Sequence, residues 1–168
     1  MTIFLCGFMG CGKSTIGEKL AQKLNCHFID MDNYIEQKAG LRIPEIFEQF
    51  GEPHFRDLET QAVKELSGQE GVIACGGGAM LREVNAQIAR EHGVVVLLDV
   101  PFRTCYYRIA DSDRPIVKKN SRQQLEELYQ KRAVIYQQHA DYQIDASHSP
   151  TAAVSEILIT LGIECKER

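Results

Sequence analysis

Gly7-Phe8-Met9-Gly10-Cys11-Gly12-Lys13-Ser14 follows the pattern G-x-x-x-x-G-K-[ST], the loop that wraps the phosphates of a nucleoside triphosphate. Its flanks supply the context the pattern requires. Thr2-Ile3-Phe4-Leu5-Cys6 is apolar and partly β-branched and reads as a strand, while Ile16, Leu20 and Leu24 recur at i, i+4 and i+8 and predict a helix over 15–24. Glycines at 7, 10 and 12 let successive N–H groups approach phosphate oxygens that a Cβ would obstruct. The helix N-terminus adds partial positive charge. Lys13 would reach the β- and γ-phosphates as a mobile point charge, and the Ser14 hydroxyl would ligate a Mg²⁺ that keeps most of its waters.

The composition fits an ordinary globular enzyme. A length of 168 residues implies one domain, and 44% hydrophobic with 25% charged residues indicates neither disorder nor low complexity. A net charge of −4 argues against broad nucleic-acid or membrane-surface binding, so an anionic ligand must be caught by local basic residues. The apolar start lacks a basic n-region, and no apolar run approaches about 18 residues, so a cytoplasmic protein is expected. Cysteines at 6, 11, 26, 75, 105 and 165 form no C-x-x-C pair or zinc spacing. Cys11 stands apart, because Lys13 and a helix start favour a thiolate there; the competing reading is a small loop residue.

Further along, His27 to Asp30 reads as a second strand, followed by helices over 32–39, 43–50 and 53–66, with Gly40 and Gly51 as stops. Residues 32–60 thus form a helical insertion. A third strand over 72–75 runs into Gly76-Gly77-Gly78, where three glycines imply close approach by another group. Val94 to Leu98 reads as a strand covered on both faces and ends at Asp99. A helix from about Pro101 is broken by the polar stretch at 111–115. Then come a long helix over 121–139, a strand over 142–145 and a helix over 151–161. Strands alternating with helices predict an α/β fold with a five-stranded parallel sheet and helices on both faces, its ligand cleft outside the carboxyl ends of the strands.

The ordered set of the phosphate loop with Thr15, Phe28-Ile29-Asp30-Met31-Asp32, Ile46-Phe47, Gly51-Glu52, Phe55-Arg56-Asp57-Leu58-Glu59, Gly76-Gly77-Gly78, Arg114-Pro115 and Arg132 resembles the shikimate kinase family over nearly the whole chain. The resemblance implies a three-layer αβα P-loop kinase fold similar to adenylate kinase, a single kinase domain over 1–168. Within it, 32–60 would be the helical substrate-binding region and 111–119 a short lid. It implies transfer of the ATP γ-phosphate to the 3-hydroxyl of shikimate, on the way to chorismate and the aromatic amino acids, with Mg²⁺, by a monomer. Catalytic roles would fall to Lys13, Asp32 and Arg114. ATP contacts would come from Gly10, Cys11, Gly12, Lys13, Ser14, Thr15, Arg108, Arg114 and Pro150. Shikimate would meet Asp32, Phe47, Phe55, Arg56, the Gly76–Gly78 backbone and Arg132, and the metal Ser14 and Asp30.

The chemistry of the residues agrees with such an acceptor. One carboxylate and several hydroxyls call for an Arg fork and a carboxylate acceptor, and Asp32 would also take the proton from the attacking hydroxyl. Asp30 and Asp32, two apart at a strand end, need not point the same way. Asp99 rivals Asp30 as the metal acid. Glu59 would orient Arg56 through an i, i+3 contact or form a plain surface ion pair with it. Cys75 stands where the family commonly has Ser or Thr, leaving a weak donor. A related gluconate kinase lacks the combined Phe-Arg-x-x-Glu and triple-glycine pattern. A GTP switch would need an Asn-Lys-x-Asp motif that the chain lacks, and a nucleotide binder without turnover would not need the full set of Lys13, Ser14, Asp30, Asp32 and Arg114.

Overall fold

Thr2–Cys6 (β1) is buried along its whole length, and Gly93–Asp99 (β4) carries the chain's longest strand with Val95 to Leu98 buried. Runs apolar on both faces suit the inside of a parallel sheet covered by helices. In the computed structural model, which describes residues 1–164, β1 lies between Gly71–Ala74 (β3) and β4. His27–Asp30 (β2) pairs with β3, and Tyr142–Asp145 (β5) with β4, giving a five-stranded, wholly parallel sheet of order β2-β3-β1-β4-β5. The flanking strands are less apolar because they need less cover: β5 buries only Ile144, and β2 exposes His27.

Helices follow the strands in alternation. Lys13–Leu24 (α1) starts two residues before the position expected from periodicity, because Gly12 at φ 97° caps it directly from the phosphate loop. Met31–Ala39 (α2) follows β2 without a linker, capped by the Asp30 side chain, which accepts from the Asn33 N–H. Ile43–Phe50 (α3) and Glu52–Leu66 (α4) complete the helical segment, with Gly40 in the left-handed conformation at φ 67° closing α2. Glu83–His92 (α5) has no counterpart in the sequence reading. Its buried face is Asn85, Ala86 and Ala89, small or polar side chains that leave no large apolar stripe to detect.

Phe102–Ile109 (α6) leads to the polar break, where Pro115–Lys119 (α7) adds a five-residue helix with Arg114 at its N-cap. Arg122–His139 (α8) opens on a capping box between Ser121 and Gln124. Pro150–Thr160 (α9) closes the described chain. The core is one cluster spanning both faces of the sheet. No helix among the described residues is long and apolar enough to cross a membrane. Cys165 lies outside the described residues.

Candidate active site

The phosphate loop leaves β1 at the carboxyl edge of the sheet. Gly10 takes φ +80°, and a Cβ there would stand 2.8 Å from the Cys105 carbonyl oxygen, so both backbone and space require glycine. Lys13 folds back on its own loop, donating from Nζ to the carbonyls of Gly7 at 2.8 Å and Phe8 at 3.2 Å. Arg108, on α6, donates to the Gly10 carbonyl at 2.9 Å and thereby leans over the loop. Ser14 and Thr15 face solvent on the first turn of α1.

Ser14 donates its hydroxyl hydrogen to Asp30 Oδ2 at 2.7 Å, while Asp30 Oδ1 accepts from the Asn33 N–H at 3.2 Å. Asp99 is exposed and accepts instead from Gln143 Nε2 at 2.8 Å. An open hydroxyl–carboxylate oxygen pair suits a hard cation that takes its other ligands from water and phosphate. Among the described residues no cluster of three or more His, Cys, Asp or Glu forms a dedicated metal cage. Asp30 and Asp32 do point to different neighbours, which a continued strand, with i and i+2 on one face, would not allow. Asp30 caps α2 and Asp32 already lies in its first turn.

Across the cleft, four segments meet at Gly76–Gly78. A Cβ on Gly76 would fall 2.6 Å from Asp32 Oδ1 and 3.0 Å from Glu59 Oε1, and one on Gly78 would overlap the Arg56 guanidinium. Arg132 Nη1 comes within 3.8 Å of the same construction at Gly77. Arg56 is held from two sides, donating from Nη1 to Glu59 Oε2 at 2.8 Å and from Nη2 to Glu52 Oε1 at 3.1 Å. Glu59 is only 1% exposed, so this is a buried ion pair and not a surface one. Glu52 as a second partner went unread in the sequence, although its i, i+4 spacing to Arg56 carries the signal.

The electrostatics of this half are costly. Burial pushes the Asp32 carboxyl above its ordinary 3.8, the charge of Asp30 adds to the rise, and Lys13 and Arg114 pull against it. Burial likewise raises Glu59, against the pull of Arg56. Arg132 is 7% exposed, makes no ion pair among the described residues, and leaves Nε without a hydrogen-bond partner.

Phe47 and Phe55 sit side by side at the edge of this half, ring centroids 4.9 Å apart, and Arg56 lies over the Phe55 ring. Arg114 is exposed at the N-cap of α7, and Pro150 starts α9 after the carboxyl end of β5. Cys75 is buried just past β3, where burial drives its thiol well above the ordinary range, so it serves as a neutral core residue. Cys11 is also buried, its sulfur 3.6 Å from Lys13 Nζ, which matches the small loop residue better than an accessible thiolate. A broad cleft of about 770 Å³ lined by Glu18, Cys26, His27 and Glu70 opens at the amino ends of β2 and β3 and touches none of the residues above.

A family model described as shikimate kinase matches residues 9–162. The chain is 43% identical over 159 residues to a shikimate kinase of Persephonella marina, covering 93% of this chain and 96% of that protein. The crystal structure of shikimate kinase from Aquifex aeolicus superposes with a TM-score of 0.86 at 38% identity, covering 96% of both chains. The solved structure of shikimate kinase from Acinetobacter baumannii in complex with shikimate gives a TM-score of 0.89 at 35% identity, covering 98% of this chain and 95% of that one. A deoxyadenosine kinase from M. mycoides, at 15% identity and TM-score 0.66, shares the fold. With the phosphate loop, the inward-facing Arg56 and Arg132 and the glycine triplet brought together, and matches of this extent, the chain belongs to the shikimate kinase family.

Proposed function

We infer that this protein transfers the γ-phosphoryl group of ATP to the 3-hydroxyl of shikimate, giving shikimate 3-phosphate and ADP. The observation that carries this reading is Arg132, a nearly buried guanidinium with no carboxylate partner among the described residues, beside Asp32, Arg56 and the glycine loop. Glu59 lies within electrostatic reach of Arg132 but is already bonded to Arg56, and a buried cation so incompletely paired is costly. The carboxylate of a hydroxylated ring acid supplies the missing anion, accepted in forked hydrogen bonds from Arg132 and Arg56. Phe47 and Phe55 pack against the ring, and the N–H groups of Gly76–Gly78 meet its oxygens. Asp32 accepts from the ring hydroxyls and takes the proton of the attacking one; its raised pKa makes it a stronger base than an ordinary aspartate.

On the other side, Lys13 exchanges its bonds to the Gly7 and Phe8 carbonyls for the β- and γ-phosphate oxygens, while the N–H groups of Gly10 to Thr15 cradle the phosphates. Arg114, carried on the lid segment 111–119, closes over the transferred group, neutralises its developing charge and excludes water. Arg108 and Pro150 flank the adenine. Ser14 and Asp30 hold Mg²⁺, which when bound offsets phosphate charge. The 32–60 segment is the acceptor-binding region of a single kinase domain. The protein acts as a monomer in this reading, and the net charge of −4 supports small-molecule substrates over nucleic acid.

The test is ADP release by the purified protein with Mg²⁺ and ATP, comparing shikimate, gluconate, nucleoside monophosphates and no acceptor. Release that depends on shikimate is the expected result; release with another acceptor, or equally with none, overturns the assignment.

A further inference from the structure

The carbonyls in and after the glycine triplet are held by side chains that the reaction above does not use. Tyr136 donates its hydroxyl hydrogen to the Gly77 carbonyl. Asn85 donates from Nδ2 to the Ala79 carbonyl at 2.8 Å, and His139 Nδ1 lies 2.7 Å from the Met80 carbonyl. A carbonyl oxygen only accepts, so His139 carries a proton on Nδ1. Tyr136 is 2% exposed and Asn85 is fully buried. Arg132, Tyr136 and His139 stand at i, i+4 and i+7 on α8, one face of the helix. The face that carries the unpaired guanidinium to the acceptor side thus also carries two of the three donors.

Such a clamp answers a physical need. Gly76–Gly78 has no side chains with which to anchor itself, and its local bonds are the turn contacts from Ala79 N–H to Gly76 at 3.1 Å and from Leu81 N–H to Gly78 at 3.2 Å. Glycine also loses the most conformational freedom on ordering. We propose that Tyr136, supported by Asn85 and His139, is a positioning clamp for the acceptor site. By holding the Gly77, Ala79 and Met80 carbonyls toward the protein, it presents the opposite N–H groups and Arg132 to the carboxylate-bearing, hydroxylated acceptor. This inference rests on the function proposed above. Burial pushes the Tyr136 phenol well above its ordinary 10, so it is a hydrogen donor at neutral pH.

Tyr136→Phe removes the hydroxyl and keeps the ring. Leaving the Gly77 carbonyl without its donor is expected to raise the shikimate KM about tenfold while the ATP KM stays within about twofold. His139→Leu moves the shikimate KM in the same direction, and His139→Asn, whose Nδ2 has the reach of Nδ1, restores it. These two variants carry the test if Tyr136→Phe does not fold. Amide hydrogen exchange in the ligand-free protein adds a readout independent of turnover: faster exchange at Gly77 to Leu81 with phosphate-loop amides unchanged is expected. Both KM values unmoved, both moved equally, or glycine-loop exchange unaltered overturns the clamp. A wild-type protein that releases no ADP with shikimate overturns the function instead, and the exchange measurement then decides the clamp by itself.

Discussion

On the nucleotide side, Gly7 to Ser14 comes from consecutive residues, and its one buried-side cation, Lys13, satisfies itself on carbonyls of the same loop. The acceptor side draws Asp32 from α2, Arg56 and Glu59 from α4, the glycines from the end of β3 and Arg132 from α8. There charges stay buried and incompletely paired, with Arg132 Nε and Glu59 Oε1 lacking partners. The contrast shows where each half takes its selectivity. A triphosphate is recognised by backbone geometry that a short motif encodes. A small hydroxy acid needs side chains aimed from several directions and held ready at a cost to the fold.

The largest effect expected is at the junction of the halves. Asp32→Asn removes the proposed base and should lower kcat by about 10²- to 10⁴-fold with the fold intact. An ADP-release rate close to wild type would separate Asp32 from proton transfer. The same residue sets a pH dependence. The folded carboxyls of Asp32 and Glu59 titrate above their ordinary 3.8 and 4.5, so the native state binds more protons than the unfolded chain between the ordinary and the raised values. Their contribution to stability therefore falls as pH rises through that window and stays unfavourable above it. Activity runs the other way, because the base must be ionised, so the acid limb of kcat/KM should lie above pH 3.8. Rate profiles and denaturation midpoints from acid to neutral pH check both signs.

Arg132→Leu comes next and tests the cost of readiness directly. It should weaken shikimate binding about 10- to 100-fold, as expected for hydrogen bonds between charged groups, yet leave the ligand-free Tm unchanged or higher, because it removes a nearly buried charge that makes no direct ion pair among the described residues. A clear fall in Tm without ligand would mean that Arg132 serves the fold first. On the nucleotide side, Asp30→Asn should lower apparent Mg²⁺ affinity about tenfold or more, whereas Asp99→Asn should leave it unchanged, since Ser14 bonds Asp30 and Asp99 bonds Gln143. Magnesium titrations of ADP release distinguish the two acids; the reverse ranking would reassign the metal. The smallest effect belongs to Cys11. With its sulfur buried, thiol labelling should be slow with or without ATP, and rapid labelling that ATP blocks would restore the reading as an accessible thiolate.

Most strands and helices were legible before any coordinates, because β1 and β4 are apolar runs and the helices around them carry stripes, caps and glycine stops in their own residues. Two helices went unread: α7, five residues inside the segment that reads as a lid, and α5, which buries Asn85, Ala86 and Ala89, side chains that give a helix packing without a hydrophobic period. The start of α2 one residue early had a similar cause: Asp30 reads as a strand-ending acid, and only its bond to the Asn33 N–H makes it a cap.

By itself, the sequence determined the parallel α/β architecture and the phosphate loop, since local periodicity and contiguous motifs are properties of neighbouring residues, while the candidate set around Asp32, Arg56, the glycine triplet and Arg132 came with the resemblance to the family. Only the tertiary structure decided that Ser14 pairs with Asp30 and not Asp99, that Arg132 is buried without a carboxylate, that Glu59 is a buried partner of Arg56, and that Tyr136, Asn85 and His139 grip the glycine loop. Each of these joins residues far apart in the chain or selects among geometries that spacing permits equally, so burial, charge pairing and hydrogen-bond direction exist only once the sheet has brought the segments together.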